Sequence, residues 1–370
     1  MPSLRVGGAE RVMVDLAREF SSNNVRVEII VLTADGPLKA DVPANVPIIS
    51  LGHKRAATSL VALTRYLRAA RPRVVMSTLE HMNVLSVVAA KLMSGARVYV
   101  REANSLSRDL STSGRIAPVL RFLMGLTYRR ADGVIAVSEG VRSDLEAAIG
   151  LQSSRVHVIY NPVITERILA LSAEPTNHPW FSDGGPPIIL GVGRLDRQKR
   201  FDVLLRAFTR VRTRTPARLV IFGEGPLRTM LSDLADELGI ASDVSLPGFV
   251  DNPFPYMRGA AAFALSSDWE GLPNVLVQAR ALGTPVVSTD CPSGPTEILD
   301  GGVHGALVPV GDDASLADAL HHALGQGRTP PPDAWVRRFD ATHVAAQYLN
   351  VLGIGTDDDG GRSPRRESRG

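Results

Sequence analysis

The chain has 370 residues, 44% of them apolar, with 41 Lys+Arg against 38 Asp+Glu. That balance is globular and excludes a disordered polymer, and a charged residue in every 18-residue window excludes a membrane-spanning helix. The single cysteine, Cys291, excludes an intrachain disulfide framework and a Cys-based zinc site, and suits a reducing cytosol.

No basic segment followed by an apolar run opens the chain, so no secretory signal is expected. Its length exceeds what one core usually serves, so two domains are expected. In the first half, strands are expected at 25–31, 73–77, 96–100, 133–137 and 156–159. Helices are expected near 9–22, 58–71, 83–94, 115–130 and 140–149. Such alternation makes a parallel sheet covered on both faces. A doubly wound domain opens on a strand, whereas Met1–Gly8 reads as a loop entering a helix. The first strand is therefore expected to be missing, through a misassigned start or a truncation.

Asn161-Pro162 breaks the pattern, and residues 166–186 form an expected linker, rich in Pro, Gly, Ser, Asn and Asp from 172 onward. A second alternating run follows, with strands at 188–192, 219–222, 243–246, 261–265, 285–288 and 305–308. Its helices lie near 200–213, 226–238, 273–282 and 314–325. The expected α/β architecture is two doubly wound domains, 1–165 and 187–335, facing across a cleft. A helix within 336–352 is expected to cross back to the first domain, and 353–370 to be a low-complexity disordered tail.

Several strand-to-helix loops carry chemistry. Gly191–Arg200 crowds Arg194, Arg197, Lys199 and Arg200 near a helix amino end, where cations are unfavourable without an anionic partner. A bound diphosphate would supply that partner; a solvated basic turn is the plainer alternative. Phe222-Gly223-Glu224-Gly225-Pro226 and Pro247-Gly248-Phe249 are glycine loops that also serve as simple turns. Ser266–Asn274 is the most informative stretch. In it Glu270 precedes a helix starting near Pro273, either stabilising that helix amino end or accepting hydrogen bonds from a ligand in the cleft. Gln278 follows eight residues later. Gly7-Gly8 lets backbone N–H groups approach a ligand, or merely turns the chain. His81, after the strand expected at 73–77, offers a general base or is structural.

Taken together these stretches resemble the retaining, nucleotide-sugar-dependent glycosyltransferases of glycosyltransferase family 4. The resemblance covers about residues 4–352. It rests on Gly7-Gly8-Ala9-Glu10, Ala136–Gly140, Tyr160-Asn161-Pro162, Gly193-Arg194-Leu195 with Lys199, and Gly223–Pro226. Glu270-Gly271-Leu272-Pro273 through Gly283–Val287 completes it. It implies the GT-B fold, two Rossmann-like domains across a cleft. It implies that Arg194 and Lys199 bind the donor diphosphate and stabilise the leaving group, and that Glu270 contacts the donor sugar. The family's second acid, which holds the ribose, falls on Gln278, whose amide still hydrogen-bonds hydroxyls. Gly193, Glu224, Gly271, Leu272 and Asn274 are carried into the donor site with Gly7 and Gly8, and the base-binding loop lies near Gly248 and Phe249. The family histidine after the fourth strand is replaced by Arg101–Asn104, with His81 a weak substitute.

The implied reaction is sugar transfer from a nucleotide sugar, expected to be a UDP-sugar, to a glycan or a polyprenyl- or other lipid-linked acceptor in bacterial cell-surface polysaccharide or lipopolysaccharide synthesis. No Asp-x-Asp stands at a strand end, so neither metal nor other cofactor is expected, and no nucleic-acid partner. The rival readings are an epimerase or hydrolase on the same fold and a truncated non-catalytic remnant. A nicotinamide dehydrogenase is disfavoured because neither half shows Gly-x-Gly-x-x-Gly after a first strand. Residues 1–165 hold 21 Lys+Arg against 13 Asp+Glu, and 166–370 hold 20 against 25. With seven arginines in 97–130, this suggests a peripheral contact of the first domain with an anionic membrane surface.

Overall fold

The computed structural model describes residues 1–5, 7–53, 58–93, 95–107 and 117–355. The expectations for 356–370 and for a helix start at Arg115 lie outside them. The first half runs α1 (Gly8–Ser22), β1 (Ile29–Val31), β2 (Ile48–Ser50), α2 (Leu60–Ala70), β3 (Val74–Thr78), α3 (Glu80–Met93), β4 (Arg97–Glu102), α4 (Ala117–Tyr128), β5 (Gly133–Ala136), α5 (Glu139–Ile149) and β6 (Val156–Val158). After α6 (Glu166–Leu171) come β7 (Ile188–Val192), α7 (Phe201–Arg212), β8 (Arg218–Phe222), α8 (Arg228–Glu237), β9 (Val244–Gly248), α9 (Phe254–Gly259) and β10 (Ala262–Leu265). The chain closes with α10 (Asn274–Ala281), β11 (Val286–Thr289), α11 (Pro295–Ile298), β12 (Ala306–Val308), α12 (Asp313–Leu324), α13 (Asp333–Phe339) and α14 (Ala341–Leu352).

The second half forms one parallel six-stranded sheet in the order β12-β11-β10-β7-β8-β9. The first half forms β3-β4-β5-β6 and, separately, a parallel pair β1-β2. Three features differ from expectation. The strand expected from Val25 begins only at Ile29, because the Val25 N–H is committed to the Phe20 carbonyl at the end of α1 (3.0 Å). The unexpected β2 is three residues long, too short to show a period in the sequence. The stretch 166–186, expected as linker, opens with α6, whose Thr165 side chain accepts from the Ile168 N–H.

Helix faces follow the apolar spacing. In α7, Phe201, Leu204, Leu205, Phe208 and Val211 are buried on the sheet, the period-3.6 stripe of an amphipathic helix. One apolar cluster is continuous from Leu63 and Val100 in the first half to Phe263 and Trp335 in the second. Helix α14, the last one described, lays Tyr348, Leu349 and Leu352 against Val12, Leu16 and Phe20 of α1, so residues 341–352 pack on the first half. Among the described residues, no helix is long and apolar enough to cross a membrane.

On α1, burial raises the Asp15 carboxyl from 3.8 to about 6, against the lowering pull of Arg11, Arg18 and Arg167. A folded-state pKa above the unfolded one favours folding below about pH 4, and that advantage is lost as pH rises through about 6. Asp15→Asn should therefore raise the melting temperature at pH 8 but not at pH 3.5, with a gain of at most about 3 kcal/mol. Thermal unfolding at both pH values checks this; an equal change at both would remove the titration from the explanation.

Candidate functional site

Strands β7 and β10 are neighbours at the point where the strand order of the larger sheet reverses. Loops leaving the carboxyl ends of such a pair diverge and open a crevice. Here they are the segment 193–200 after β7 and the segment 266–273 after β10. The two are sewn together. The Asp268 N–H donates to the Gln198 carbonyl (2.8 Å), Gln198 Nε2 to the Trp269 carbonyl (2.8 Å) and Ser266 Oγ to the Lys199 carbonyl (2.7 Å). Arg200 pairs with Asp268 at 2.9 Å.

This stitching brings Lys199 Nζ to 2.5 Å from Glu270 Oε1, and Ser267 Oγ donates to the same oxygen at 2.6 Å. The Lys199 and Glu270 side chains are 17% and 8% exposed. The pair therefore sits in a mostly dry recess, where charge interactions exceed their strength in water. Gly193 closes over the lysine stem; a Cβ there would lie 3.3 Å from Lys199 Cε. Arg194, expected with Lys199 on the donor diphosphate, is 73% exposed with Nε on Asp196 (2.5 Å). Asp196 in turn accepts the Gln198 and Lys199 N–H groups at 3.1 and 3.3 Å, which fixes the turn.

The loops after β8 and β9 join the same rim. The Leu195 N–H donates to the Glu224 carbonyl (2.9 Å) and the Gly223 N–H to the Gly248 carbonyl (2.8 Å). Gly223 has φ +141, and a Cβ on it would stand 1.9 Å from the Gly193 carbonyl oxygen. Only glycine fits that crossing. The Glu224 carboxylate is held by Arg228 (2.9 Å) beside Gly248, and Phe249 is exposed.

The first half meets this rim directly. Gly271 lies against β4's continuation, where a Cβ would be 2.1 Å from the Ala103 carbonyl oxygen. Ser138 Oγ donates to the Gly271 carbonyl (2.9 Å) and Asn161 Nδ2 to Asn274 Oδ1 (2.7 Å). A Cβ on Gly8 would be 3.8 Å from Asn274 Nδ2, so the opening glycine loop reaches α10. Leu272 is buried between them. Gln278 is half-buried one turn beyond Asn274 and on its face of α10. Gly7 is the N-cap of α1, with the Glu10 carboxylate folded back over it. His81 stands exposed in the first turn of α3. Partial desolvation lowers its pKa, while Glu80 and Glu10 raise it. No described hydrogen bond joins it to Lys199 or Glu270.

Three groups escaped the sequence reading. Arg101 is fully buried and donates to Tyr348 Oη (3.1 Å), Thr78 Oγ1 (3.2 Å) and Asn161 Oδ1 (2.5 Å). Through Asn161 it reaches Asn274 in the other half. Glu102, also buried, accepts from Tyr128 Oη at 2.7 Å; burial and this carboxylate push the phenol well above its ordinary pKa. Glu297 of α11 accepts from the Glu139 and Gly140 N–H groups at the amino end of α5, at 2.8 and 2.9 Å. Its only sequence signal is an acid just after Gly294-Pro295, a helix start.

Cys291 is buried beside the site, and burial, then Glu270, pushes its thiol up to about 12. Thiolate is the reactive form, so a disulfide-exchange reagent at pH 8 should leave Cys291 untouched until denaturant is added. Rapid labelling of the folded protein would contradict this burial.

A family described as "Glycosyltransferase Family 4" matches residues 6–167, and one described as "Glycosyl transferases group 1" matches 186–326. The chain is similar to the N-acetylgalactosamine-N,N'-diacetylbacillosaminyl-diphospho-undecaprenol 4-alpha-N-acetylgalactosaminyltransferase of Campylobacter jejuni, 28% identical over 95% of this chain and 97% of that protein. In fold it is similar to the lipopolysaccharide outer core galactosyltransferase WaaB in its apo form (TM-score 0.70, 22% identity, 95% of this chain and 98% of that one). It is likewise similar to HepE of Anabaena in complex with UDP and glucose (TM-score 0.75, 19% identity, 95% and 98%). With a family 4 match over its first half, a group 1 match over its second and the two-domain fold of these neighbours, the chain belongs to the GT-B glycosyltransferases of the family 4 type.

Proposed function

We propose that this glycosyltransferase moves a sugar from a UDP-sugar to a lipid-linked glycan at the inner face of the plasma membrane, with retention at the anomeric carbon and without a metal. The observation that carries the reading is the Lys199–Glu270 pair in the recess at the strand-order reversal. Lys199 carries three ammonium donors. One meets Glu270, and the others suit the oxygens of a donor diphosphate. As the bond from the anomeric carbon to that diphosphate breaks, negative charge grows on the departing oxygen, and a fixed cation stabilises it. Glu270 then orients the sugar through its hydroxyls. With cations in this role, no metal is needed to neutralise the leaving group. The undecaprenyl-diphosphate acceptor in the name of the Campylobacter relative and the UDP held by HepE support the choice of substrates.

A screen of nucleotide sugars by nucleotide release, with crude membrane lipid as acceptor, tests the reading. Release that requires lipid and leaves a sugar-bearing lipid supports it. Free sugar formed at the same rate without lipid would make the protein a hydrolase or epimerase.

Gln278 supplies one acceptor oxygen where a carboxylate offers two. Gln278→Glu should hold or tighten UDP binding by calorimetry. If the folded variant no longer binds UDP, Gln278 serves another partner.

A further inference from the structure

Arg101 is buried at the carboxyl end of β4 for a reason that packing does not supply. A buried cation is unfavourable unless its donors are met. All three of its nitrogens donate, yet only to neutral oxygens: Tyr348 Oη, Thr78 Oγ1 and Asn161 Oδ1. Among the described residues, no carboxylate pairs with it. Apolar side chains of similar volume often replace such a group without loss of stability.

A guanidinium can only donate. Asn161 must therefore turn Oδ1 toward Arg101, and its Nδ2 is left to donate to Asn274 Oδ1, at 2.7 Å. The Asn274 oxygen is then committed as well. Its remaining group is the Nδ2 amide, 3.8 Å from where a Cβ on the exposed Gly8 would stand, at the rim of the cleft. Polarity thus passes from Arg101 through two amides, each with one accepting and one donating end. Without a donor-only group at the head, both amides could turn over with the same number of hydrogen bonds. The head is fixed where the two halves join. Asn161 stands just before Val163 and Ile164, whose N–H groups both donate to the Phe339 carbonyl (3.0 and 2.9 Å) on the returning segment. Tyr348, farther along that segment, is the Arg101 Nε partner. Groups beside a hinge move least when domains open, so Asn274 is oriented before substrate arrives.

We infer that Arg101 is a positioning residue: through Asn161 it turns the Asn274 N–H₂ group toward the cleft, as a fixed hydrogen-bond donor to an oxygen of the nucleotide sugar. Arg101 itself touches no substrate. A donor set in place before the reaction needs no reorganisation during it. The inference rests on the proposed sugar transfer for its substrate, whereas the polarity of the amides stands on the protein alone. Nucleotide release counts turnover whether the sugar goes to lipid or to water, so failure of the acceptor assignment leaves the test intact.

Two substitutions at Asn161 separate this role from simple support of the hinge. The carboxylate introduced by Asn161→Asp keeps Arg101 paired but can only accept, so Asn274 must turn over and show its oxygen to the cleft. Its kcat for nucleotide release should fall about tenfold, the cost of one lost hydrogen bond with a group left unpaired. Asn161→Leu frees Asn274 to take either orientation and should cost less, whereas hinge support requires the opposite order. UDP affinity by calorimetry should stay near that of wild type in both. Arg101→Lys, still donor-only, should retain more turnover than Arg101→Gln, whose amide serves either polarity. With no substrate present, Asn161→Asp combined with Asn274→Asp sets two carboxylates face to face. The double variant should lower the melting temperature by more than the sum of the single changes. Wild-type kcat in folded Asn161→Asp, a larger loss in Asn161→Leu, or Arg101→Gln as active as Arg101→Lys overturns the inference. So do UDP binding that weakens in step with kcat and melting changes that simply add.

Discussion

Lys199→Ala is expected to lower turnover by about 10²–10³ while the protein remains folded. That is the usual loss when one fixed donor is removed from the growing charge of a transition state. The recess makes the loss specific, because a solvated cation elsewhere on the rim cannot replace a lysine held 2.5 Å from Glu270. Arg194→Ala should cost far less, since its guanidinium is largely in water and screened there. Lys199→Ala also leaves the Glu270 carboxylate with Ser267 as its described partner, so melting temperature must be followed beside the rate. Equal turnover of Lys199→Ala and wild type at saturating donor would detach the lysine from the diphosphate.

Gly271→Ala is expected to separate donor binding from turnover. A methyl at this position would stand 2.1 Å from the Ala103 carbonyl oxygen and 2.8 Å from Asn104 Cα. Both obstacles are backbone, and no side chain can rotate away. Either strand β4's continuation or the whole first half must retreat from the rim. A misplacement of about 1 Å between reacting groups costs roughly 10²-fold in rate, and that is the fall expected in kcat. The Lys199–Glu270 pair lies wholly on the second half, so UDP affinity should change little. If UDP binding vanished with turnover while the fold persisted, the clash would be relieved inside the second half instead.

The parallel sheets and the loops at their carboxyl ends were legible because short β-branched runs alternate with amphipathic stretches. Lys199 and Glu270 were legible for the same reason, each lying on a loop between a strand and a helix. What bound them to each other was not legible, since 71 residues separate them. The same limit hid Arg101 on Tyr348, 247 residues away, and Glu297 on Glu139, 158 residues away. An arginine inside a strand reads as a surface residue until the fold surrounds it with a tyrosine, a threonine and an asparagine. Arg194 was legible as a motif position but its surroundings were not: the turn built by Asp196 leaves its side chain largely in water.

The Glu297 carboxylate on the amino end of α5 has a consequence in time as well as in space. It spans the two halves with two charge-assisted hydrogen bonds, and those bonds must break whenever the halves part to let spent nucleotide leave. Water can replace them on both sides once they separate, so the fastening is reversible at modest cost. Where the halves open once per turnover, its lifetime enters the catalytic cycle. Where departure of product limits an enzyme, the rate follows the opening step. A residue that touches neither sugar nor diphosphate would then keep the clock.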